Sequence, residues 1–247
     1  MSRPVPAATA ALRVLVYLSG KPTPVPASRI AADLGLPRST TYHLLAAMAE
    51  ESFVVHYGDE QTWGVGVAVW EVGQGYTRQA PLARLARVPL ARLVDRVGQS
   101  AHLAVLQGAE VYYIHEERAV GRPPLVTAAG VRLPAHLTAS GRAIMARLSP
   151  AQVRVLYPAA TAFVDRTGLG PRTPSELRRV LAETRRRGYA TEESEVTPGF
   201  ASVAVAIDSP ANRASVAVTW QDGSVPDPGA VVDGLREAVA TIEERLR

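Results

Sequence analysis

Cysteine is absent from this chain of 247 residues, and its absence excludes several kinds of site. Without thiols the protein has no disulfide framework, no thiolate zinc site, no iron–sulfur cluster and no cysteine nucleophile. Lysine is nearly absent as well, because Lys21 is the only one and arginine carries almost all of the basic charge. Together with the heavy use of alanine, this composition is typical of a GC-rich genome and by itself indicates no function.

Long apolar runs are also missing. Stretches without a charged residue reach only about a dozen residues, whereas a membrane-spanning helix needs about 18 or more apolar residues. The segment from Met1 to Ala11 has no apolar core followed by a cleavage site, so the sequence predicts neither a signal peptide nor a membrane partner. We therefore expect a cytoplasmic protein.

The remaining composition is that of an ordinary globular protein, with 47% hydrophobic and 20% charged residues. The length suggests two domains. The net charge of +4 decides little by itself, but the charge is unevenly distributed. Against the single acidic side chain of Asp33, residues 1–49 carry the basic side chains of Arg3, Arg13, Lys21, Arg29 and Arg38.

This basic segment has the pattern of three helices. Apolar residues recur at helical spacing from Ala10 to Ser19. Lys21 to Pro26 contains three prolines, so we expect an irregular linker there. Two short helices follow at about 27–34 and 37–50, separated by a sharp turn at Gly35. Two helices joined by a short glycine-containing turn are typical of a helix-turn-helix, in which the glycine takes a left-handed conformation.

The start of the second of these helices carries side chains that suit DNA. Arg38 can pair with a phosphate or a guanine edge, and the hydroxyls that follow can bind phosphates or bases. In a helix-turn-helix this part enters the major groove. His43 is equally compatible with a DNA contact and with simple solvation. The predicted DNA-binding residues are Arg29, Arg38, Ser39, Thr40, Thr41, Tyr42 and His43.

An ordinary helical hairpin with a solvated, Ser/Thr-rich start would have the same pattern, but the next residues favour the DNA-binding interpretation. Residues 53–57 and 62–65 read as two strands separated by a turn from Gly58 to Gln61. A β-hairpin directly after the second helix is the wing of a winged helix. A further helix is predicted from Val67 to Gly75.

Beyond residue 80, helices alternate with pairs of strands, which predicts an antiparallel sheet flanked by helices, an α+β domain. Arg185, Arg186 and Arg187 read as a helix end before Gly188, with a nucleic-acid contact as the alternative. Helices are predicted at 82–97, 138–147, 150–157, 175–187 and 231–246, strands at 101–106, 111–115, 125–128, 189–194, 202–208 and 214–220, and a tight turn within 208–214.

The sequence contains none of the common catalytic motifs: no P-loop, no G-x-S-x-G, no strand-linked G-x-G-x-x-G and no H-E-x-x-H. His115 lacks a second histidine at metal-ligand spacing. His102 and His136 fit core or hinge positions better than general bases, while the acidic stretch around Glu192 stays open as a general base. We expect no enzyme and no cofactor, and ligand binding as the role of this domain.

The candidate ligand site begins at Thr138-Ala139-Ser140-Gly141, where a helix is predicted to start. Free amide groups and hydroxyls at a helix start can bind a carboxylate or a carbonyl oxygen. The alternative is that Thr138 only caps the helix, and the local sequence by itself favours the cap.

These motifs resemble the IclR family of bacterial transcriptional regulators over nearly the whole chain. Residues 30–40 are similar to the helix-turn-helix of that family, and residues 133–143 are similar to the stretch beside its effector pocket. Residues 187–190, followed by Glu192-Glu193 and Pro198-Gly199, are similar to its second signature. The three motifs occur in the family's order, which makes the resemblance specific.

The resemblance implies a winged helix-turn-helix domain at 1–66, a linker helix at 67–78, and a GAF-like effector-binding and oligomerisation domain at 79–247. It also implies homodimers or tetramers that bind palindromic double-stranded operator DNA as repressors or activators. Effectors in the family are small metabolites, often carboxylic acids or aromatic compounds. By position, and with Gly141 from the helix start, the implied pocket comprises Leu125, Leu133, Ala139, Ser140, Gly141, Glu192, Phe200, Ser202, Ala217 and Thr219.

Several positions depart from the family pattern. His43 and Gly64 stand where the family usually has arginine, so base preference and a phosphate contact from the wing are expected to differ. Ala201-Ser202 replaces a frequent Arg-Cys pair. Trp220 stands where glycine is common, and we expect it to narrow the pocket. Since no arginine is among the pocket positions, a strongly anionic effector is disfavoured.

The sequence therefore predicts a ligand-responsive transcription factor. Effector binding near Ser140 and Glu192 would shift an equilibrium between two dimer arrangements and so change the affinity for the operator. Two other classes remain open. One is an enzyme that uses Glu192 or His136 as a base, and the other is a ligand-binding module whose winged helix binds a protein rather than DNA.

Overall fold

The computed structural model describes residues 5–79, 81–208, 213–221 and 227–247. The chain divides into two compact units, Met1–Ala80 (unit 1) and Pro81–Arg247 (unit 2). Within the described ranges, none of the helices has the length and apolar character that crossing a bilayer requires.

Unit 1 is a helix-turn-helix followed by a β-hairpin, as the sequence predicts. Its elements are α1 (Pro6–Ser19), β1 (Val25–Pro26), α2 (Ala27–Leu34), α3 (Arg38–Glu50), β2 (Val54–Tyr57), β3 (Thr62–Val65) and α4 (Val67–Gln79). Gly35 ends α2 with a left-handed φ of 65°, and the amide of Leu36 donates to the carbonyl oxygen of Ala31 at 2.9 Å. Ala31 is buried, which allows α2 and α3 to cross closely.

The linker predicted at Lys21 to Pro26 is partly wrong. Val25 and Pro26 form strand β1, which pairs antiparallel with β3 and gives a sheet in the order β1-β3-β2. The prolines exclude a helix here, but an edge strand tolerates proline because one row of its hydrogen-bonding groups has no partner strand. Val25 and Trp63 then join the core of unit 1 between the helices and the sheet.

Unit 2 is a six-stranded antiparallel sheet with helices on both faces, which confirms the predicted α+β class. The strand order is β6-β5-β4-β9-β8-β7. The elements are α5 (Pro81–Val97), β4 (Ser100–Gln107), β5 (Glu110–Glu117), β6 (Arg132–Pro134), α6 (Ala139–Ala146), α7 (Pro150–Leu156), a 3-10 turn (Ala160–Ala162), α8 (Pro174–Arg187), β7 (Ala190–Glu193), β8 (Phe200–Ile207), β9 (Ala214–Gln221) and α9 (Pro228–Leu246).

The two faces of the sheet carry different side chains because neighbouring residues of a strand point in opposite directions. In β9, Val218 and Trp220 pack into a core shared with α5 and α9. Ala217 and Thr219 point to the opposite face, which α6 covers. The expectation that Trp220 narrows the ligand pocket is therefore wrong, since its side chain lies on the other side of the sheet.

Two further expectations concern connecting segments. Residues 125–128 form an irregular turn rather than a strand, and the edge strand β6 instead pairs with β5 through Val111 and Leu133. Residues 130–134 bond to the edge of β5 at 110–113, and residues 125–128 have no partner strand among the described strands. The tight turn predicted within 208–214 involves residues 209–212, which lie outside the described residues.

The three arginines at 185–187 form the last turn of α8, as favoured by the sequence. Gly188 follows α8 with a left-handed φ of 78° and its amide donates to the carbonyl oxygen of Thr184 at 2.9 Å. Nε of Arg185 donates to the carbonyl oxygen of Ala146 at 2.7 Å, so this side chain holds the end of α6.

Candidate functional site

The start of α3 presents an exposed polar surface in unit 1. Arg38, Ser39, Thr40, Tyr42 and His43 are all exposed, and the residues before them form the sharp turn after α2. Because α3 begins at Arg38, its first amides have no partner within the helix and face the same end. The surface therefore combines a guanidinium, hydroxyls and unpaired helix amides, which are the groups that bind phosphates and base edges.

Thr41 is the exception among the predicted DNA-binding residues. Its side chain is completely buried, and its hydroxyl donates to the carbonyl oxygen of Pro37 at 3.0 Å. The helical period places position 41 on the same inward face as Leu45 and Met48. Thr41 cannot contact DNA directly, and the prediction for this residue is wrong.

Arg29 is exposed but already has an anionic partner. Its Nε lies 3.0 Å from Oδ1 of Asp33, one helical turn further along α2. The hydroxyl of Tyr17 also donates to Asp33, at 2.7 Å. Together the Tyr17 hydroxyl and the Arg29 guanidinium hold the pKa of Asp33 below its usual range. A phosphate would have to compete with Asp33 for Arg29, so this residue is a weaker candidate than Arg38.

A cavity lies in unit 2 between the start of α6 and the sheet. It is partly open and its lining mixes apolar and polar side chains, as small-molecule sites commonly do. Strands β5, β7, β8 and β9, the start of α6 and the irregular segment before β6 all contribute to it. The lining residues are Tyr113, Pro124, Leu125, Val126, Thr127, Thr138, Ala139, Ser140, Glu192, Val196, Thr197, Phe200, Ser202, Ala217 and Thr219.

Two of the predicted pocket residues do not line this cavity. Leu133 is buried in a separate apolar cluster with Val111 on the neighbouring strand. Gly141 serves close packing instead, since a Cβ atom at this position would lie 2.2 Å from the carbonyl oxygen of Ala135. Only glycine lets the first turn of α6 approach the preceding chain this closely.

Among the described residues, Glu192 supplies the one carboxyl group of the lining. Its Oε1 accepts hydrogen bonds from the amides of Glu195 and Val196, at 3.0 and 3.1 Å. Burial raises the pKa of Glu192 to about 7, although these hydrogen bonds favour the charged form. Near neutral pH the group can therefore accept a hydrogen bond as a carboxylate or donate one as an acid.

The helix start behaves in part as the sequence predicts. The hydroxyl of Thr138 accepts a hydrogen bond from the amide of Gly141 at 3.0 Å, so Thr138 is the N-cap of α6. The hydroxyl of Ser140 is buried beside the Tyr113 hydroxyl, but it makes no hydrogen bond of ordinary geometry to any part of the chain that the structure describes. A buried hydroxyl without a partner is costly, and a ligand in the cavity would satisfy it.

Sequence reasoning missed part of the lining. Tyr113 lies on β5 with its side chain buried, and burial raises the pKa of its hydroxyl well above the usual range. Thr127 comes from the segment mistaken for a strand, and Val196 follows β7 in a loop. No local pattern marks these residues, because they reach the cavity only through the pairing of distant strands.

The remaining candidates for chemistry are structural. His136 is buried, with Nε2 3.0 Å from the carbonyl oxygen of Val164 and Nδ1 3.3 Å from the Tyr157 hydroxyl. His115 lies beside Glu117 on one strand, and no three acidic or histidine side chains among the described residues converge as metal ligands.

A winged helix-turn-helix in one unit and a small-molecule cavity in the other define a ligand-responsive transcriptional regulator.

Comparison with known families agrees with this class. The model of the IclR helix-turn-helix domain matches residues 7–57, and that of the C-terminal domain of bacterial IclR transcriptional regulators matches residues 74–240. The chain therefore belongs to the IclR family of bacterial transcriptional regulators. The protein is a DNA-binding regulator of transcription that also has an effector-binding domain. Because its relatives are transcriptional regulators, the enzyme and protein-binding alternatives are set aside.

The individual relatives are distant in sequence, but the matches cover most of each chain. The chain is 28% identical to the transcriptional repressor IclR of Escherichia coli, over 81% of this chain and 73% of that protein. It is 30% identical to the glycerol operon regulatory protein of Streptomyces coelicolor, over 84% of this chain and 80% of that protein. An IclR homolog of Microbacterium hydrocarbonoxydans, solved in complex with 4-hydroxybenzoate, matches with a TM-score of 0.78 and 25% identity, over 98% of this chain and 99% of that one.

Proposed function

We propose that the protein binds an operator through the exposed start of α3, with Arg38, Ser39, Thr40, Tyr42 and His43 facing the major groove. Arg38 has no acidic partner among the described residues, unlike Arg29, so its charge is available for a phosphate or a guanine. A guanidinium is suited to either, because it can form two parallel hydrogen bonds. This regulator would act on DNA in the bacterial cytoplasm.

The protein would bind its operator as a homodimer, or as a tetramer built from two dimers, through helix α1 and the first part of α4. Leu12 and Val16 of α1 are 63% and 73% exposed, and Trp70 of α4 is 67% exposed. Leu12 and Val16 are one helical turn apart and lie on the face of α1 opposite the core residue Val14. An apolar stripe of this kind in a globular unit supports a protein–protein contact.

The unit 2 cavity would hold the effector, a small organic molecule with a polar group at each end. The observation that carries this proposal is the buried hydroxyl of Ser140 at the start of α6, which lies beside Tyr113 without a hydrogen bond of ordinary geometry and opposite a sheet that carries Glu192. Helix amides and the Ser140 hydroxyl can hold a carbonyl or carboxylate oxygen. Glu192 can accept a hydrogen bond from a ligand hydroxyl, while Leu125 and Phe200 offer an apolar contact.

This arrangement suits a hydroxylated aromatic acid or a related metabolite, and the relative from Microbacterium that holds 4-hydroxybenzoate supports this class. No arginine, lysine or histidine lines the cavity among the described residues, so a ligand with several negative charges would be left uncompensated. Bound effector would change operator affinity by favouring one of two dimer arrangements. It can do so only if its affinity for the two arrangements differs.

A gel-shift titration of the promoter fragments beside the protein's own gene tests the proposal, at two salt concentrations, with and without 4-hydroxybenzoate. We expect saturable binding to one fragment that resists nonspecific competitor and weakens with salt. A shift of that binding curve by the ligand would support the effector site. Binding to every promoter fragment no tighter than to random DNA would contradict the proposed operator, and tight ligand binding without a shift would contradict the coupling.

A further inference from the structure

His102 occupies the middle of the unit 2 sheet, directly behind the wall of the cavity. It lies on β4, where it pairs with Ala217 of β9, a lining residue of the cavity. Its side chain is completely buried, and its ring meets that of Tyr113 edge to face with centroids 5.9 Å apart. His102 thus touches the cavity only through its neighbours.

One of these neighbours is Thr127, which does line the cavity. Nε2 of His102 and the hydroxyl of Thr127 are 3.1 Å apart, which is a hydrogen bond between two buried side chains. Thr127 belongs to residues 123–127, the segment between β5 and β6 that supplies Pro124, Leu125 and Val126 to the same wall.

This wall segment has little else to hold it. Residues 123–127 belong to no helix or strand, and their two prolines carry no amide hydrogen to donate. In the part of the chain that the structure describes, the bond from Thr127 to His102 is the one side-chain hydrogen bond that the segment makes. Val126 is partly exposed, whereas Thr127 is buried, so the segment is anchored at its Thr127 end.

We propose that His102 is a positioning residue, which holds the 123–127 wall of the effector cavity in place through the hydroxyl of Thr127. The chemistry suits a constant anchor. Burial lowers the pKa of His102 to about 3, and the positive charge of Arg118 acts in the same direction. The ring therefore stays neutral at physiological pH, and the wall does not move with the protonation of this histidine.

The other ring nitrogen of His102 shows that packing alone does not explain a histidine at this position. Nδ1 of His102 is buried and without a hydrogen-bond partner among the described residues. Burying a ring nitrogen without a hydrogen-bond partner is costly, and an apolar side chain at this position would avoid that cost. A histidine at this position is thus explained by the bond to Thr127 rather than by packing alone. The inference deepens the proposed effector site, on which its functional consequence rests.

The test is hydrogen–deuterium exchange of residues 121–130 in the unliganded full-length protein. Thr127→Val removes the hydroxyl but keeps the shape of the side chain, and we expect exchange of this segment to rise about three- to tenfold, as for the loss of one hydrogen bond. Thr127→Ser keeps the hydroxyl and should restore exchange close to that of the wild type. The matched control is Thr219→Val, which removes a lining hydroxyl on strand β9 that is bonded to Ser202 and should leave exchange of residues 121–130 unchanged.

His102→Phe should raise exchange of the segment at least as much as Thr127→Val does, because the His102 ring also interacts with the backbone of Thr127, and the double variant should not exceed His102→Phe. Exchange of 121–130 that stays at the wild-type level in Thr127→Val would overturn the proposal, and so would additive effects in the double variant. None of these measurements requires a ligand. Failure of 4-hydroxybenzoate to bind would therefore count against the proposed effector class and leave the result on His102 standing.

Discussion

Nη1 of Arg142, in helix α6, donates to the backbone oxygen of Thr191, in strand β7, at 2.9 Å. The same buried guanidinium forms an ion pair with Glu195 and donates through Nε to the backbone oxygen of His136 at 2.8 Å. Thr191 directly precedes Glu192, and Arg142 follows Ser140 by two residues. One side chain therefore ties together the two segments that carry Ser140 and Glu192, and it does not itself line the cavity.

Arg142→Met should destabilise unit 2 by about 3–5 kcal/mol, because it leaves the carboxylate of Glu195 and two backbone oxygens without their partner. Urea unfolding measures this change. The control is Arg147→Met, directly after the end of α6, where the ion pair with Asp208 is exposed and worth less than about 1 kcal/mol. Equal effects of the two substitutions would contradict the role given to Arg142.

Glu192 should make stability depend on pH. Burial raises its pKa from 4.5 to about 7, so the folded protein holds a proton that the unfolded chain releases between these values. The contribution of Glu192 to the free energy of unfolding should therefore fall by about 3 kcal/mol as the pH rises from 4.5 to 7, while the lowered pKa of buried His102 acts in the opposite direction over this range. Glu192→Gln should remove this decline, whereas Glu193→Gln on the exposed side of the strand should preserve it. Unfolding curves at pH 5 and pH 8 that change equally in wild type and Glu192→Gln would refute the assignment.

Gly141→Ala should destabilise the protein, although alanine normally favours a helix over glycine by about 1 kcal/mol. The added methyl would lie 2.2 Å from the backbone oxygen of Ala135, so the chain must shift, at a cost of about 3 kcal/mol. The same substitution at Gly73 of α4 meets no atom within 4 Å and should be neutral or slightly stabilising. Melting temperatures of the two variants give the comparison, and a stable Gly141→Ala protein would argue against close packing at this helix start.

Arg38→Ala should weaken binding to the operator by about 1–3 kcal/mol if the guanidinium reads a base. A gel-shift titration against one promoter fragment measures the affinity, and repeating it at two salt concentrations shows whether a phosphate contact has been lost. Arg154→Ala, an exposed arginine of unit 2, serves as the control for net charge. Unchanged affinity in Arg38→Ala would remove this residue from the proposed interface.

Leu12→Glu should weaken the dimer, because it places a charge within the apolar stripe of α1 proposed to meet the partner subunit. Sedimentation analysis over a range of concentrations should show an increase in the dissociation constant of tenfold or more, about 1.4 kcal/mol. Val155→Glu alters a still more exposed valine in unit 2 and should leave the assembly unchanged. A dimer that survives Leu12→Glu intact would indicate that another surface holds the subunits together.

Local pattern was enough to predict most helices and strands of this protein. Helical spacing marked α2 and α3, and Gly35 between them takes the left-handed conformation that the turn requires. Thr138 caps its helix as its position suggests. These features depend on neighbours within a few residues, so the sequence determines them by itself, together with the class of fold and the resemblance to a family of regulators.

Only the tertiary structure decided which side chains face the cavity and which face the core. Thr41 is buried and Trp220 lies behind the sheet, and both results depend on how whole elements pack rather than on the residues beside them. Tyr113 and Thr127 reach the cavity because distant strands pair in one register. Val25 is part of a strand because it pairs with Trp63 at the edge of β3. Contacts of this kind join residues far apart in the chain, so no local pattern in the sequence can reveal them.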